Sequence, residues 1–455
     1  MPSRPSISYF GAGPAPLPTP VIESAASALI NYNDCGLGLA EISHRSPTAN
    51  KILADAKTNL ITLLDIPADE YEILFMQGGG SGEFSAVVYN MVGVWVERRR
   101  RAVVAKLLKD GRELGSGSGS GSESDELVVE RELKRMVREE LKMDYLVTGS
   151  WSLKAMQEAK RLCGERFVNV AVDAREGNGG SFGTIPDEKE WRLTKTRREG
   201  GKGGAPAFVY YCDNETVDGV EFQGFPACLE ARQDEEEEDE RLVVADMSSN
   251  FLSRKIDVRK FAVIFAGAQK NVGVAGITLV IIRKSLLPPQ TATPSPDLLR
   301  KLDIGGMPGP IMFDYATIAK NNSLYNTLPI FNLWIAGEVI ARLVQTYGDK
   351  KVSGQEEVAN HKATLLYGVL DKYPQVYGIV PHKSVRSRMN LCFRVYGGDA
   401  EKEKAFLAGA EKRLLQGLKG HRSVGGIRIS NYNAVPVENV EKLVVYLEDY
   451  ANGRE

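Results

Sequence analysis

The chain has 455 residues, 43% of them hydrophobic, and a formal net charge of −2 at pH 7. That is enough apolar material for one large core and a smaller second one, so two domains are expected. Near-neutrality supplies no field for nucleic acid or anionic lipid, no stretch reaches the ~18 uninterrupted apolar residues of a membrane span, and the start MPSRPSISYF lacks a secretory h-region, which together point to a soluble cytosolic protein.

After Pro18 and Pro20, VIESAASALINY has helical apolar spacing, and a second helical stretch, NKILADAKTNLITLLDI, follows Pro47. Seven runs of strand length come next: YEILFMQG, DYLVTGS, FVNVAVDA, APAFVYYC, RLVVADMSS, FAVIFAGAQ and GITLVIIR. Several lack the alternation of a half-wet sheet, as strands buried on both faces do. Helical segments such as EFSAVVYNMVGVWV and SLKAMQEAKRLC lie between some of them, which argues for an α/β fold with a mostly parallel sheet and helices on both sides. From about Leu328 the pattern changes to long helices, the strand-like RMNLCFRVY, a helix, GGIRISNYN and a last helix VENVEKLVVYLEDY, a smaller α+β unit. The expected division is a large domain over 17–345 and a small one over 346–455, joined by segment 1–16.

Three stretches interrupt this plan. Glu97 to Met143 holds a tetra-arginine run, Arg98 to Arg101, a GSGSGSGSESDE tract and a charged helical repeat, and reads as a mobile insertion without core-forming capacity. The polar stretch from about Arg175 to Gly204 and the acidic run Asp234 to Glu240 read as solvated loops, and the arginines as solvated surface. Cys35, Cys163, Cys212, Cys228 and Cys392 are scattered, signal neither a disulfide framework nor a metal site, and are expected to stay reduced.

The most informative segment is RLVVADMSSNFLSRKIDVRKFAVIFAGAQKNVGVAG, in which Asp246 ends one apolar strand and Lys270 follows the next. In open parallel sheets ligands bind at the carboxyl ends of strands, so both groups should face one crevice. A lysine there suits Schiff-base chemistry, and an aspartate opposite it would keep the pyridine nitrogen of pyridoxal phosphate protonated. QGGGSGEFSAVV runs a glycine-rich turn into a helix, placing Gly80 and Ser81 where unpaired N–H groups meet an anion such as the cofactor phosphate. The same turn also fits an ordinary strand-to-helix loop, and it lacks the ending of a nucleotide P-loop. Trp151 in TGSWS offers a ring for stacking and Thr216 in DNETVDG a hydroxyl for the phenolic oxygen, although each also fits ordinary packing.

The blocks EISHRS, QGGGSGEFSAV, VTGSWS, CDNETVDGVEF, ADMSSNFLSR, AGAQKN, NNSLYNT, RSRMN and GHRSVGGIRISNYNAV, in this order, resemble the phosphoserine aminotransferase family, class-V aminotransferases of the fold-type I pyridoxal-phosphate enzymes. The resemblance spans nearly the whole chain apart from the interrupting stretches. It implies that Lys270 carries the cofactor, Asp246 pairs with its ring nitrogen and Trp151 stacks on the ring. It further implies phosphate contacts from Gly80, Ser81 and Gln269, a contact from Thr216, and Asn326 and Thr327 of YNT reaching across from a second subunit of a homodimer with shared active sites. Arg428 would hold the substrate α-carboxylate, with His44, Arg45, His421 and Arg422 around the distal carboxylate or phosphate. The implied substrates are L-glutamate with 3-phosphohydroxypyruvate and, in reverse, O-phospho-L-serine with 2-oxoglutarate, in serine biosynthesis.

Two residues depart from the family pattern: Glu83 stands where Gln is common, unfavourable beside a phosphate unless it turns away, and Val274 replaces a frequent Pro. A desulfurase would need a reactive Cys over the cofactor, and no cysteine has a claim to that place. A non-catalytic scaffold using its charged insertion for binding is opposed by the full set of cofactor residues.

Overall fold

The computed structural model describes residues 3–110, 125–231 and 236–454. An N-terminal arm carries a two-residue strand, β1 (Ser8–Tyr9), ahead of helices α1 (Thr19–Ile30) and α2 (Pro47–Leu64). Ser46 starts α2 by accepting from the Ala49 N–H at 3.1 Å, with Pro47 at the first helical position, where its missing N–H costs nothing. Strand β2 (Tyr71–Met76) leads into α3 (Gly79–Lys109), followed by α4 (Asp125–Glu140), β3 (Met143–Val147), α5 (Ser150–Cys163), β4 (Val168–Asp173) and β5 (Val209–Cys212). A short hairpin, β6 (Asn214–Glu215) with β7 (Val220–Glu221), precedes β8 (Val243–Asp246), β9 (Val263–Gly267) and β10 (Thr278–Arg283).

The seven predicted strands form one sheet in the order β2-β10-β9-β8-β5-β3-β4. The pairs β9/β8, β8/β5, β5/β3 and β3/β4 are parallel; β10 runs antiparallel to both β2 and β9. Strands β5, β8 and β9 are buried at every residue, which is why their sequences do not alternate. One apolar cluster joins α1 and α2 to one face of the sheet; a second joins α3, α4 and α5 to the other.

Short helices α6 (Pro296–Lys301) and α7 (Tyr315–Lys320) precede α8 (Ile330–Tyr347), which packs on α2, and α9 (Lys351–Lys372). The C-terminal unit adds β11 (Tyr377–Ile379), β12 (Asn390–Val395), α10 (Ala400–Lys412), β13 (Leu415–Gln416), β14 (Ile427–Ser430) and α11 (Val437–Ala451). Strands β11, β12 and β14 form an antiparallel sheet over a third cluster that includes Phe393, Phe406, Tyr446 and, from the arm, Phe10. The arm ties the two units together: β1 pairs in parallel with β13, and the Ala15 N–H donates to the Gln269 carbonyl at 2.8 Å.

The stretch 97–143 departs from its sequence reading. Helix α3 continues through all four arginines, and α4 buries Val128, Leu133, Met136 and Val137 as part of the core; the Gly-Ser tract lies outside the described residues. Arg98 and Arg99 are buried rather than solvated. Their partners come from the described part of the acidic run: Arg98 reaches Glu240 at 2.8 Å, Arg99 lies 3.5 Å from Glu238, and Arg101 binds Glu237 at 2.8 Å. Two charge runs far apart in sequence neutralise each other, which neither run reveals alone. The stretch 175–204 is irregular as expected, but Trp191 and Thr196 are buried and anchor it.

Candidate active site

Register places Cys212, Asp246 and Phe265 side by side on β5, β8 and β9, so these parallel strands open their carboxyl ends onto one crevice. Asp246, the last residue of β8, is buried. Its Oδ1 accepts from the Ser248 N–H at 2.9 Å, whereas Oδ2 has only a long contact, 3.5 Å, from the Tyr210 hydroxyl. Burial pushes the Asp246 carboxyl up; the Ser248 donors and the charge of Lys270 oppose that.

Lys270 lies in the turn after β9. Its Nζ is 3.4 Å from the Tyr432 hydroxyl, and its stem runs beside Gly13, where an added Cβ would fall 2.6 Å from Lys270 Cε. Gly80 approaches from β2–α3: a Cβ there would sit 3.5 Å from Ser248 Oγ and 3.8 Å from Asp246 Oδ2. The turn into α3 depends on Gly78, whose φ of 117° is strained for any side chain. Gly80 and exposed Ser81 stand at the second and third positions of α3, where N–H groups have no acceptor within the helix. Glu83, one turn on, is fully buried and accepts from the Tyr315 hydroxyl at 2.8 Å.

Helix α5 is fixed differently. Glu215 accepts from the N–H groups of Trp151 at 2.7 Å and Ser152 at 2.9 Å, and Asp218 from that of Ser150 at 2.7 Å. Gly149 permits this approach, since a Cβ on it would lie 2.3 Å from Glu215 Cγ. Burial, then Asp218, pushes the Glu215 carboxyl up to about 8 against those donors. Trp151 is thereby locked to the loop that carries Thr216, and the first N–H groups of α5 are already spent on carboxylates, unlike those of Gly80 and Ser81 at the start of α3.

Arg428, on β14, is buried and donates to the Thr216 carbonyl at 3.2 Å. His421 is pulled down by burial and by the charges of Arg428, Lys154 and Arg422, so these cations share one neighbourhood. The Lys154 amine also sits 4.2 Å from the centre of the Trp151 ring. Gln269 is half-buried beside Lys270. His44 is half-buried with Nε2 enclosed and without a hydrogen-bond partner, and Arg45 is exposed; no hydrogen bond joins either to Lys270 or Arg428. Asn326 donates to Gln77 Oε1 at 2.6 Å and the Thr327 carbonyl accepts from Gln77 Nε2 at 3.4 Å, so the chain's own contacts set this pair beside the end of β2.

Sequence reading singled out neither Tyr432, Glu215 nor Asp218, which lie inside motif blocks, nor Lys154, two residues beyond one. Their signal is the short acidic pair in NETVDG and the tyrosine in SNYN, each unremarkable until the fold brings its partner close.

The family model for class-V aminotransferases matches residues 7–108 and 118–443. Phosphoserine aminotransferase of Saccharomyces cerevisiae is 41% identical over 97% of both chains, and that of Burkholderia vietnamiensis 36% identical over 97% of both. The chain belongs to the class-V aminotransferases, in the phosphoserine aminotransferase family. Among solved structures, the phosphoserine aminotransferase from Bacillus circulans subsp. alkalophilus superposes with a TM-score of 0.73 at 30% identity, covering 98% of each chain. The one from Trichomonas vaginalis, with pyridoxal phosphate bound, gives 0.72 at 31%, covering 96% of this chain and 99% of its own. Fold type I and pyridoxal phosphate as cofactor come with this family.

Proposed function

We propose that the chain moves the α-amino group of L-glutamate onto 3-phosphohydroxypyruvate, yielding 2-oxoglutarate and O-phospho-L-serine, reversibly and in the service of serine biosynthesis. The observation that carries this reading is the meeting of the Lys270 turn, buried Asp246 and Gly80 at the carboxyl ends of the parallel strands, with buried Arg428 bonded to the loop that carries Thr216. These residues fit pyridoxal phosphate: Asp246 Oδ2 is desolvated and short of a good donor, and Gly80 leaves room beside it.

When bound, the cofactor supplies an electrophilic aldehyde carbon and a conjugated ring that accepts the electron pair left at the substrate α-carbon. Asp246 holds a proton on the ring nitrogen, which its desolvated carboxylate favours once paired. Trp151 would cover one ring face, the Thr216 hydroxyl would bond the phenolic oxygen, and Gly80, Ser81 and Gln269 would hold the phosphate, joined by Asn326 and Thr327 of a second subunit. Lys270 takes the proton from the substrate α-carbon and returns it to the cofactor side. The Arg428 guanidinium binds the α-carboxylate, while His44, Arg45, His421 and Arg422 bind the phosphate of one substrate and the distal carboxylate of the other.

In this reading the large unit, 17–345, carries the cofactor and the small unit, 346–455, brings Arg428, with 1–16 bridging them in a homodimer. All five cysteines are free thiols, which suits a reducing cytosol. Burial pushes the thiols of Cys163, Cys228 and Cys392 up to about 12, against any role as an elimination nucleophile.

The test is the visible spectrum of the holoenzyme. L-Glutamate should abolish the cofactor–lysine band and 3-phosphohydroxypyruvate restore it, and Lys270→Ala should lower both half-reactions by about 10³-fold. A band that glutamate leaves unchanged, or full activity in Lys270→Ala, would overturn the proposal.

A further inference from the structure

Tyr432 is fully buried, yet its hydroxyl makes three polar contacts. It lies 3.0 Å from the Ala12 carbonyl, 3.3 Å from Asn390 Nδ2 and 3.4 Å from Lys270 Nζ. The Ala12 carbonyl can only accept, so the one phenolic hydrogen is committed to it. Asn390 meets the oxygen with its NH2 group, an orientation fixed by its own Oδ1, which accepts from Asn214 at 2.8 Å. What remains for Lys270 is a lone pair. Tyr432 therefore offers the lysine an acceptor and nothing else.

That restriction has a stereochemical consequence. A neutral amine resting against Tyr432 must turn an N–H toward it, leaving the nitrogen lone pair free to face the crevice. A protonated amine at the same place is held by the same acceptor. The surroundings fix both partners. Gly13 walls the lysine stem, since a Cβ there would come within 2.6 Å of Lys270 Cε. The residues that follow each partner are tied to one another, with the Asn433 N–H donating to Asn271 Oδ1 at 2.9 Å. Behind the loop, fully buried Lys362 donates to the carbonyls of Tyr432 at 2.9 Å and Val435 at 2.8 Å.

We infer that Tyr432 is a positioning residue for the proposed reaction: its hydroxyl receives the Lys270 amine whenever that amine is not covalently engaged, and orients its lone pair toward the substrate α-carbon. The arm, the large unit and the small unit each supply one part of the seat, Ala12, Lys270 and Tyr432. The inference rests on Lys270 being the amine that moves the proton, as proposed above.

In the holoenzyme, Tyr432→Phe should lower kcat about tenfold in both directions, with KM for L-glutamate and 3-phosphohydroxypyruvate within about twofold of wild type. In the cofactor-free protein at pH 8, acetic anhydride should acylate Lys270 about threefold more slowly in the variant, relative to the exposed Lys419, because the amine is no longer held with its lone pair toward the crevice. Incorporation of 4-fluorophenylalanine at 432, which fills most of the hydroxyl's space but neither titrates nor accepts strongly, should change both as Tyr432→Phe does, and it carries the test alone where Tyr432→Phe does not fold. Acylation of Lys270 at the wild-type rate overturns the inference whatever happens to kcat. Acylation reads the tyrosine–lysine contact without any turnover, so it can fail while Lys270→Ala still abolishes activity, and the reverse.

Discussion

Glu83 shows how one side chain is settled by its surroundings rather than by its type. It enters the apolar layer under α3, where Oε2 accepts from Tyr315 and Oε1 is buried without a partner. Burial, with Asp246 adding repulsion and the Tyr315 bond opposing, pushes its carboxyl up to about 8. The protonated acid then takes the place of the amide that the family commonly carries. Because the folded-state value lies above the ordinary 4.5, the stability this proton contributes is fully present below about pH 4.5 and is lost as pH rises through about 8. Glu83→Gln removes that dependence. Urea denaturation should show the variant gaining on wild type by about 1 kcal/mol or more between pH 5 and pH 8, with the larger advantage at pH 8. An equal difference at the two pH values would mean that Glu83 is ionised in the fold. At this scale Lys270 and Asp246 were legible because strand ends and motif blocks name them directly. Tyr432 was not, since its meaning depends on Ala12, Asn390 and Lys270, which are remote from it in sequence.

Among the elements, the second half of α3 gains its place by pairing with the acidic run. Arg99 is 2% exposed, lies 5.1 Å over the Trp95 ring and has Glu238 at 3.5 Å; Glu240 is shared by Arg98 and by Arg283 of β10. Burial opposes ionisation of Glu240, but Arg283 and Arg98 together hold its carboxyl below the usual range. The sign is therefore opposite to that of Glu83: its contribution is present above about pH 4.5 and lost as pH falls through its lowered value. Glu240→Gln takes the carboxylate from Arg283 and leaves Arg98 with Glu237 alone, and should cost about 2–3 kcal/mol in urea at pH 7, with the gap to wild type narrowing toward pH 3. A gap unchanged by acid would assign the loss to packing instead. The seven strands were readable because their apolar runs record burial on both faces. Helix α4 was not, because its stripe of Leu133, Met136 and Val137 is diluted by charges and preceded by a Gly-Ser tract, so composition spoke louder than spacing.

At the level of the whole molecule, the crevice draws on both units of one chain, Lys270 meeting Tyr432, and in the proposed homodimer a second chain would add Asn326 and Thr327. Large apolar side chains stay exposed beside these segments: Tyr325 next to Asn326, and Leu37 and Ile30 ahead of His44. Such exposure suits a surface that a second copy covers. A shared site makes a sharp prediction for mixed dimers. Lys270→Ala destroys the amine in its own crevice, and Asn326→Ala would remove the proposed phosphate contact from the crevice it serves, so each variant alone should be impaired. After subunit exchange between equal amounts, about half the dimers are hybrids. If Asn326 serves the partner's crevice, each hybrid holds one crevice with both Lys270 and Asn326 intact and one with neither. Activity at limiting pyridoxal phosphate should then recover to about a quarter of wild type, half the dimers having one good site in two. If Asn326 serves the crevice of its own chain, no crevice in any hybrid is intact, and mixing restores nothing.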